Sequence, residues 1–120
     1  MTDALRLRAA ALSPEPPREL RATFEVGAEH PLLAGHFPGA PVVPGVLLLD
    51  AVRRAWQEAG GGGADLRAVD ARWLLPVAPG TEVHLRADVV RADGSASLTG
   101  ECTAAGARVA TFALRLQERA

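Results

Sequence analysis

The 120-residue chain predicts an α+β domain in which an antiparallel sheet of five or six strands wraps around one long central helix. Three observations carry this. Only residues 45–59 hold a sustained helical period. From residue 66 to residue 116 the period changes to two, and Pro79-Gly80, Asp93-Gly94 and Ala105-Gly106 supply turns. Residues 20–26 alternate in the same way ahead of the helix. With 48% hydrophobic and 22% charged residues, a chain of this length suits a single domain over residues 1–120.

Taken in order, residues 5–8 alternate like a short edge strand, and Ser13-Pro14-Glu15-Pro16-Pro17 breaks it. Leu20, Ala22, Phe24 and Val26 give the next strand one apolar face. Residues 27–34 form a connecting turn, in which His30 precedes Pro31 and reads as a turn residue. Between His36 and Pro44, three prolines fix φ and remove backbone donors, so the segment is a rigid loop rather than a strand or helix. The helix follows. Val46, Leu47, Leu48 and Leu49 make its first turn apolar all round, which implies burial on every side. Val52, Ala55, Trp56 and Ala59 then face inward, and Arg53, Arg54, Gln57 and Glu58 outward. Residues 60–63, all glycine, end it.

Four strands are expected after the helix, over residues 66–77, 81–91, 95–104 and 107–116. Val83, Leu85, Ala87 and Val89 form one inner face, and Ala110, Phe112, Leu114 and Leu116 another. Glu82, His84, Arg86 and Asp88 take the opposite side, which makes His84 a solvated strand residue. Cys102 reads as a small apolar group, and Trp73 as a core or subunit-interface residue.

Composition excludes several functions. All thirteen basic residues are Arg and the net charge is -1, so bulk attraction to nucleic acid or a membrane surface is not expected. A lone cysteine allows no intramolecular disulfide and no cysteine-rich metal centre. No apolar run approaches the roughly 18 residues of a membrane span. Arg6 and Arg8 interrupt the first apolar stretch, so no secretory leader is expected and the location is taken as cytoplasmic.

Two titratable residues stand out, His36 on the proline loop and Asp50 on the helix fourteen positions later. Asp50 has an ordinary role open to it, an ion pair with Arg53 or Arg54 worth about 0.2–0.5 kcal/mol. The proline and glycine frame is what singles the pair out, since a solvated loop needs no such constraint. GHFPGAPVVPGVLLLDA (residues 35–51) resembles the signature of the 3-hydroxyacyl-[acyl carrier protein] dehydratases, a family with the hotdog fold. ARWLLPVAPGTEV (residues 71–83) resembles the family's later strand and Pro-Val-x-Pro-Gly turn. The likeness covers residues 29–116 and is weakest over a divergent N-terminal segment, residues 1–19.

The resemblance implies a catalytic pair of His36 and Asp50. It also implies a homodimer or an oligomer of dimers, with His36 of one chain facing Asp50 of the other. Acyl carrier protein bearing the substrate is the implied partner, and no cofactor or metal is expected. Arg53 and Arg54 would flank the acyl tunnel or carrier rim, or remain solvated helix positions. Asp rather than Glu at position 50 is found in members that also isomerise the double bond. Leu74 and Leu75 replace an expected basic residue, and the short N-terminus resembles members of aryl-polyene-type pathways.

The implied chemistry removes water from a 3-hydroxyacyl thioester. Neutral His36 suits the base that takes the α-proton, histidine having a reference pKa of about 6.5. Aspartate's reference value of about 3.9 suits Asp50 to holding the leaving hydroxyl or a water, and means that it could donate a proton only if burial or coupling to His36 raised that value. The Gly45 N–H at the helix start can receive the thioester oxygen, and Phe37, Val43 and Val46 would line the tunnel. Other readings are a hotdog thioesterase and a non-catalytic subunit that binds acyl chains or a partner. A coenzyme A-dependent hydratase would carry an Asp about where Pro31 stands.

Overall fold

Alternating sequence becomes strand throughout the computed structural model, which describes residues 4–30, 43 and 45–118. Six strands are present among the described residues: β1 Leu5–Leu12, β2 Arg18–Val26, β3 Ala64–Trp73, β4 Val83–Ala92, β5 Ser95–Ala104 and β6 Ala107–Glu118. They form one sheet in the order β1-β2-β4-β5-β6-β3, with every neighbouring pair antiparallel. The one α-helix among the described residues, α1 Val46–Trp56, lies against the inner face of this sheet. The arrangement is the expected hotdog architecture.

The core follows from two periods meeting. Leu47, Leu48, Ala51, Val52, Ala55 and Trp56 recur on one side of α1 and are all buried. They meet Leu20 and Phe24 of β2, Val83 and Leu85 of β4, Leu98 of β5 and Leu116 of β6. Each fully buried side chain of this kind contributes on the order of 1.5–3 kcal/mol. Cys102 is among them and fully buried, as expected. Burial, and then the neighbouring Glu101 charge, push its thiol from 9.0 up to about 12.

Two glycines are fixed by close approach. A Cβ at Gly100 would lie 1.9 Å from the Arg86 carbonyl oxygen of the neighbouring β4, whose Ala87 pairs with Gly100. A Cβ at Gly61 would lie 2.1 Å from Cε2 of Trp56. The Arg91 guanidinium stands 4.8 Å from the centre of that indole, held by Glu118 at 2.9 Å. Trp56 thus anchors the far end of α1.

Several boundaries differ from the sequence expectation. β1 extends beyond residue 8 to Leu12, because a bulge with Ala9 at φ 57° resets which side chains face inward. The regular helix stops at Trp56 and loosens into a wider turn, Gln57–Gly61, in which Gly60 takes φ 101°. β3 ends at Trp73 rather than at residue 77, with Leu74 and Leu75 both donating backbone N–H groups to the Val109 carbonyl. Residue 76 is proline, which cannot continue that ladder. β4 begins at Val83, two residues later than expected, following the turn at Pro79-Gly80.

The start of α1 is not buried on every side: Val46 is 56% exposed and Leu49 half-buried. The physical reason is the sheet order. β3 lies at an edge, so nothing in this chain's described residues covers the side of α1 that carries Val46 and Leu49. The outer face of the sheet is polar, with Arg8 paired to Glu82, His84 Nε2 to Glu82 at 3.2 Å and Arg86 to Glu19 at 3.0 Å. His84 is therefore the exposed strand residue expected.

Candidate active site

Asp50 lies one turn into α1, on the side away from the sheet, with its side chain 27% exposed. Its carboxylate takes both ion pairs that the spacing offers, Arg54 Nη2 at 3.0 Å from Oδ2 and Arg53 Nη2 at 4.0 Å from Oδ1. Arg54 also donates to the Leu5 carbonyl oxygen at 3.5 Å, which ties the pair to the first residue of β1. Asp50 is thus a half-buried carboxylate with one oxygen more closely engaged than the other.

Beside it runs a groove of about 400 Å³. Val46, Leu47, Leu49 and Leu66 give it apolar walls, and His30, Asp50 and Arg53 its polar ones. The connecting turn delivers His30, whose backbone N–H donates to the Gly27 carbonyl at 3.1 Å. Residues 27–30 are thus the expected turn, and His30 is also on the groove wall. Leu49 and Leu66 are groove residues that the sequence does not point out. Their placement depends on how α1 lies against the β3 edge, and the only sequence signal is that both are apolar residues near that crossing.

Gly45 precedes the helix with φ -60° and ψ -29°, so it is already helical and its role is not to turn the chain. What its missing side chain provides is room. A Cβ there would lie 3.4 Å from Cδ1 of Trp73, at the wall of a second cavity of about 190 Å³ shared with Leu49, Val69 and Ala71. No side chain caps the helix start and its first turn has no acidic residue. The positive end of the helix dipole is therefore not neutralised by its own first-turn side chains. Leu49 lines both cavities and stands between Asp50 and this helix start.

Among the other expected site residues, Val46 lines the groove, while Val43 does not. Val43 is buried in the core, and its N–H donates to the Val77 carbonyl at 2.9 Å, fastening the end of the proline loop to the segment before β4. His36, Phe37 and the loop from His36 to Pro44, apart from Val43, lie outside the described residues. Trp73 is half-buried between the core and the β3 edge.

A larger cavity, about 530 Å³, occupies the outer face of the sheet between Arg21, His84 and Glu101. It lies on the side opposite α1, and His84 there contacts Thr23 Oγ1 at 3.2 Å and Glu82. The smaller groove is the one at the start of α1, where apolar walls meet the Asp50 carboxylate.

The family model described as ApeI-like, ApeI dehydratase, matches residues 13–111. The 3-hydroxyacyl-[acyl-carrier-protein] dehydratase FabZ of Myxococcus xanthus is 39% identical over 106 residues, covering 79% of this chain and 69% of that protein. The enzyme of the same name from Thiobacillus denitrificans is 35% identical over 105 residues, covering 78% and 72%. In structure, the dehydratase heterocomplex ApeI:P of Xenorhabdus doucetiae superposes with a TM-score of 0.68 at 16% identity, over 92% of this chain and 100% of that one, which establishes the shared fold. With the match spanning most of the strands and the whole of α1, this chain belongs to the ApeI-like dehydratases, hotdog-fold hydro-lyases related to FabZ.

Proposed function

We propose that the protein removes water from 3-hydroxyacyl thioesters carried on acyl carrier protein, giving trans-2-enoyl thioesters for fatty acid or polyene synthesis. The observation that carries this reading is the placement of Asp50 on the wall of an apolar groove at the start of α1. His36 acts as the base on C2. As the C2–H electrons form the C2=C3 bond, the C3–O bond breaks, and the leaving oxygen takes up the proton that His36 has removed, so that water departs and His36 returns to its neutral form. Asp50 accepts a hydrogen bond from that hydroxyl and fixes its direction, while Arg54 holds the carboxylate in place. The thioester oxygen gains negative charge during proton removal, and the Gly45 N–H at the uncapped helix start receives it. Val46 and Phe37 belong to the acyl channel; Val43 supports it from the core.

Two further parts belong to the same reading. Acyl carrier protein presents the substrate, and the enzyme is a homodimer in which His36 of one chain faces Asp50 of the other. The open groove supports this, since Val46 and Leu49 lack a cover in the described part of one chain. The cytoplasmic location expected from the sequence is retained.

Hydration of an enoyl thioester, the reverse reaction, tests the proposal by loss of the enoyl absorbance on acyl carrier protein and on coenzyme A. Wild type hydrates the carrier-bound substrate, and His36→Ala lowers kcat/KM by about 10²- to 10⁴-fold with the fold unchanged. An inactive wild type on both carriers would overturn the reading.

A further inference from the structure

The outer face of the sheet carries a second cavity, of about 480 Å³, at the end where β3 stops and β6 begins. Leu74 and Leu75 both donate to the Val109 carbonyl, at 2.7 and 3.3 Å, so the chain leaving β3 stays fastened to the start of β6. This brings Arg72 and Arg108 to the walls of one cavity, together with Thr99, Thr111 and Leu74. Elsewhere on the face, Arg8 pairs with Glu82, and Arg21 and Arg86 with Glu19. Arg72 and Arg108 are exposed and form no ion pair among the described residues, although Asp70 stands two positions before Arg72. Arg67 and Arg115 are unpaired as well, but they line neither this cavity nor those beside α1.

The chemistry of the walls selects a ligand. Two guanidiniums, charged at every physiological pH and forked in their donors, match a group that presents several anionic oxygens, as a phosphoryl group does. The Thr99 and Thr111 hydroxyls can donate to oxygens that the guanidiniums leave free. Leu74 and Ala113 supply apolar wall for a carbon chain attached to that group. Asp70 also lines the cavity, opposite Ala113, on the side of Arg72 away from Arg108, and so sets an anion toward Arg108. Arg72 has a further position to account for: it lines the cavity of about 190 Å³ that holds Gly45 and Trp73. In the dehydratase reading, that is where the Gly45 N–H receives the thioester oxygen. A ligand reaching from one cavity to the other has a thioester at one end, a phosphoryl group at the other and a flexible chain between.

We propose that Arg72 and Arg108 hold the phosphate of the pantetheine arm on which acyl carrier protein presents its thioester, the arm rounding the end of β3 beside Leu74 to reach Gly45. This rests on the dehydratase reading and adds a second anchoring point to its site. Because both guanidiniums are exposed, the attraction is screened by salt.

Enoyl hydration by the full chain on two small thioesters that differ only in the phosphate, those of pantetheine and of 4′-phosphopantetheine, tests the site. Wild type prefers the phosphorylated thioester by about tenfold or more in kcat/KM, through a lower KM, and added salt erodes the preference. Arg72→Gln and Arg108→Gln each lower that ratio at least about threefold, the double variant brings it to about one, and Arg108→Lys keeps part of it because the charge is retained. Both positions are exposed, so the variants are expected to fold. An active wild type without the preference, or variants that keep the wild-type ratio, would overturn the phosphate site and leave the dehydratase reading standing. Variants weakened only on acyl carrier protein, with the ratio kept, would put the arginines against the carrier's protein surface and equally overturn the site. If the small thioesters do not react, the same ratio is read from their inhibition of hydration on acyl carrier protein, and equal or absent inhibition overturns the site. A wild type inactive on all three carriers overturns the dehydratase reading and this site with it.

Discussion

Asp50 shows how one residue can satisfy two demands at once. The i,i+3 and i,i+4 arginines visible in the sequence are its partners, yet the same carboxylate borders the groove. The ion pair follows from local spacing alone; the groove requires β3 to arrive at the helix start, which no local pattern reveals. Gly45 separates packing from chemistry. Its helical backbone and the 3.4 Å clearance to Trp73 let an added methyl fit. Gly45→Ala is expected to change stability by less than about 1 kcal/mol yet to lower kcat/KM about tenfold or more by crowding the thioester oxygen; urea unfolding and enoyl hydration on the same sample check both halves. Cys102 makes a prediction about pH. Its folded thiol keeps its proton up to about 12, above the ordinary 9.0, so its contribution to stability is complete below pH 9.0 and is lost as pH rises toward 12. Thermal unfolding followed on the alkaline side should show a shallower loss of stability in Cys102→Ala than in wild type, and the native thiol should resist alkylation at neutral pH.

At the level of elements, legibility tracks the turns. The bounds of β5 and the start of β6 are those read from the sequence, because Asp93-Gly94 and Ala105-Gly106 are two-residue hairpin turns with positive φ at all four positions. β1 reads too short in the sequence, since Ala9 to Ala11 offers no alternation and its bulge is a tertiary feature. The helix is legible but its exposed start is not, because Val46 to Leu49 has no polar residue to mark the side left open. The loop carrying His36 and Phe37 lies outside the described residues, and its expected rigidity rests on its prolines. Gly100 supplies the sharpest test of the sheet. Gly100→Ala should cost about 1–3 kcal/mol in urea unfolding, because the new methyl meets the Arg86 backbone rather than a side chain that can move aside. Trp56→Ala should cost about 3–5 kcal/mol, removing the ring on which Gly61 and Arg91 close.

The whole molecule has one buried side and one open seam. The six-stranded sheet packed on α1 leaves the β3 edge, Val46, Leu49 and the groove beside Asp50 on the same side. A second chain across that seam would at once close the groove, bury the edge and bring in the other half of a catalytic pair. Complementation tests this most directly. His36→Ala and Asp50→Asn are each expected to be inactive in enoyl-thioester hydration, but mixed dimers hold one site with both residues intact. Random re-association of equal amounts should therefore restore about a quarter of wild-type activity, half the dimers being mixed and each having one good site of two. Substantial activity in either variant alone would contradict the catalytic pair, and mixed dimers that remain inactive would contradict a site shared between chains.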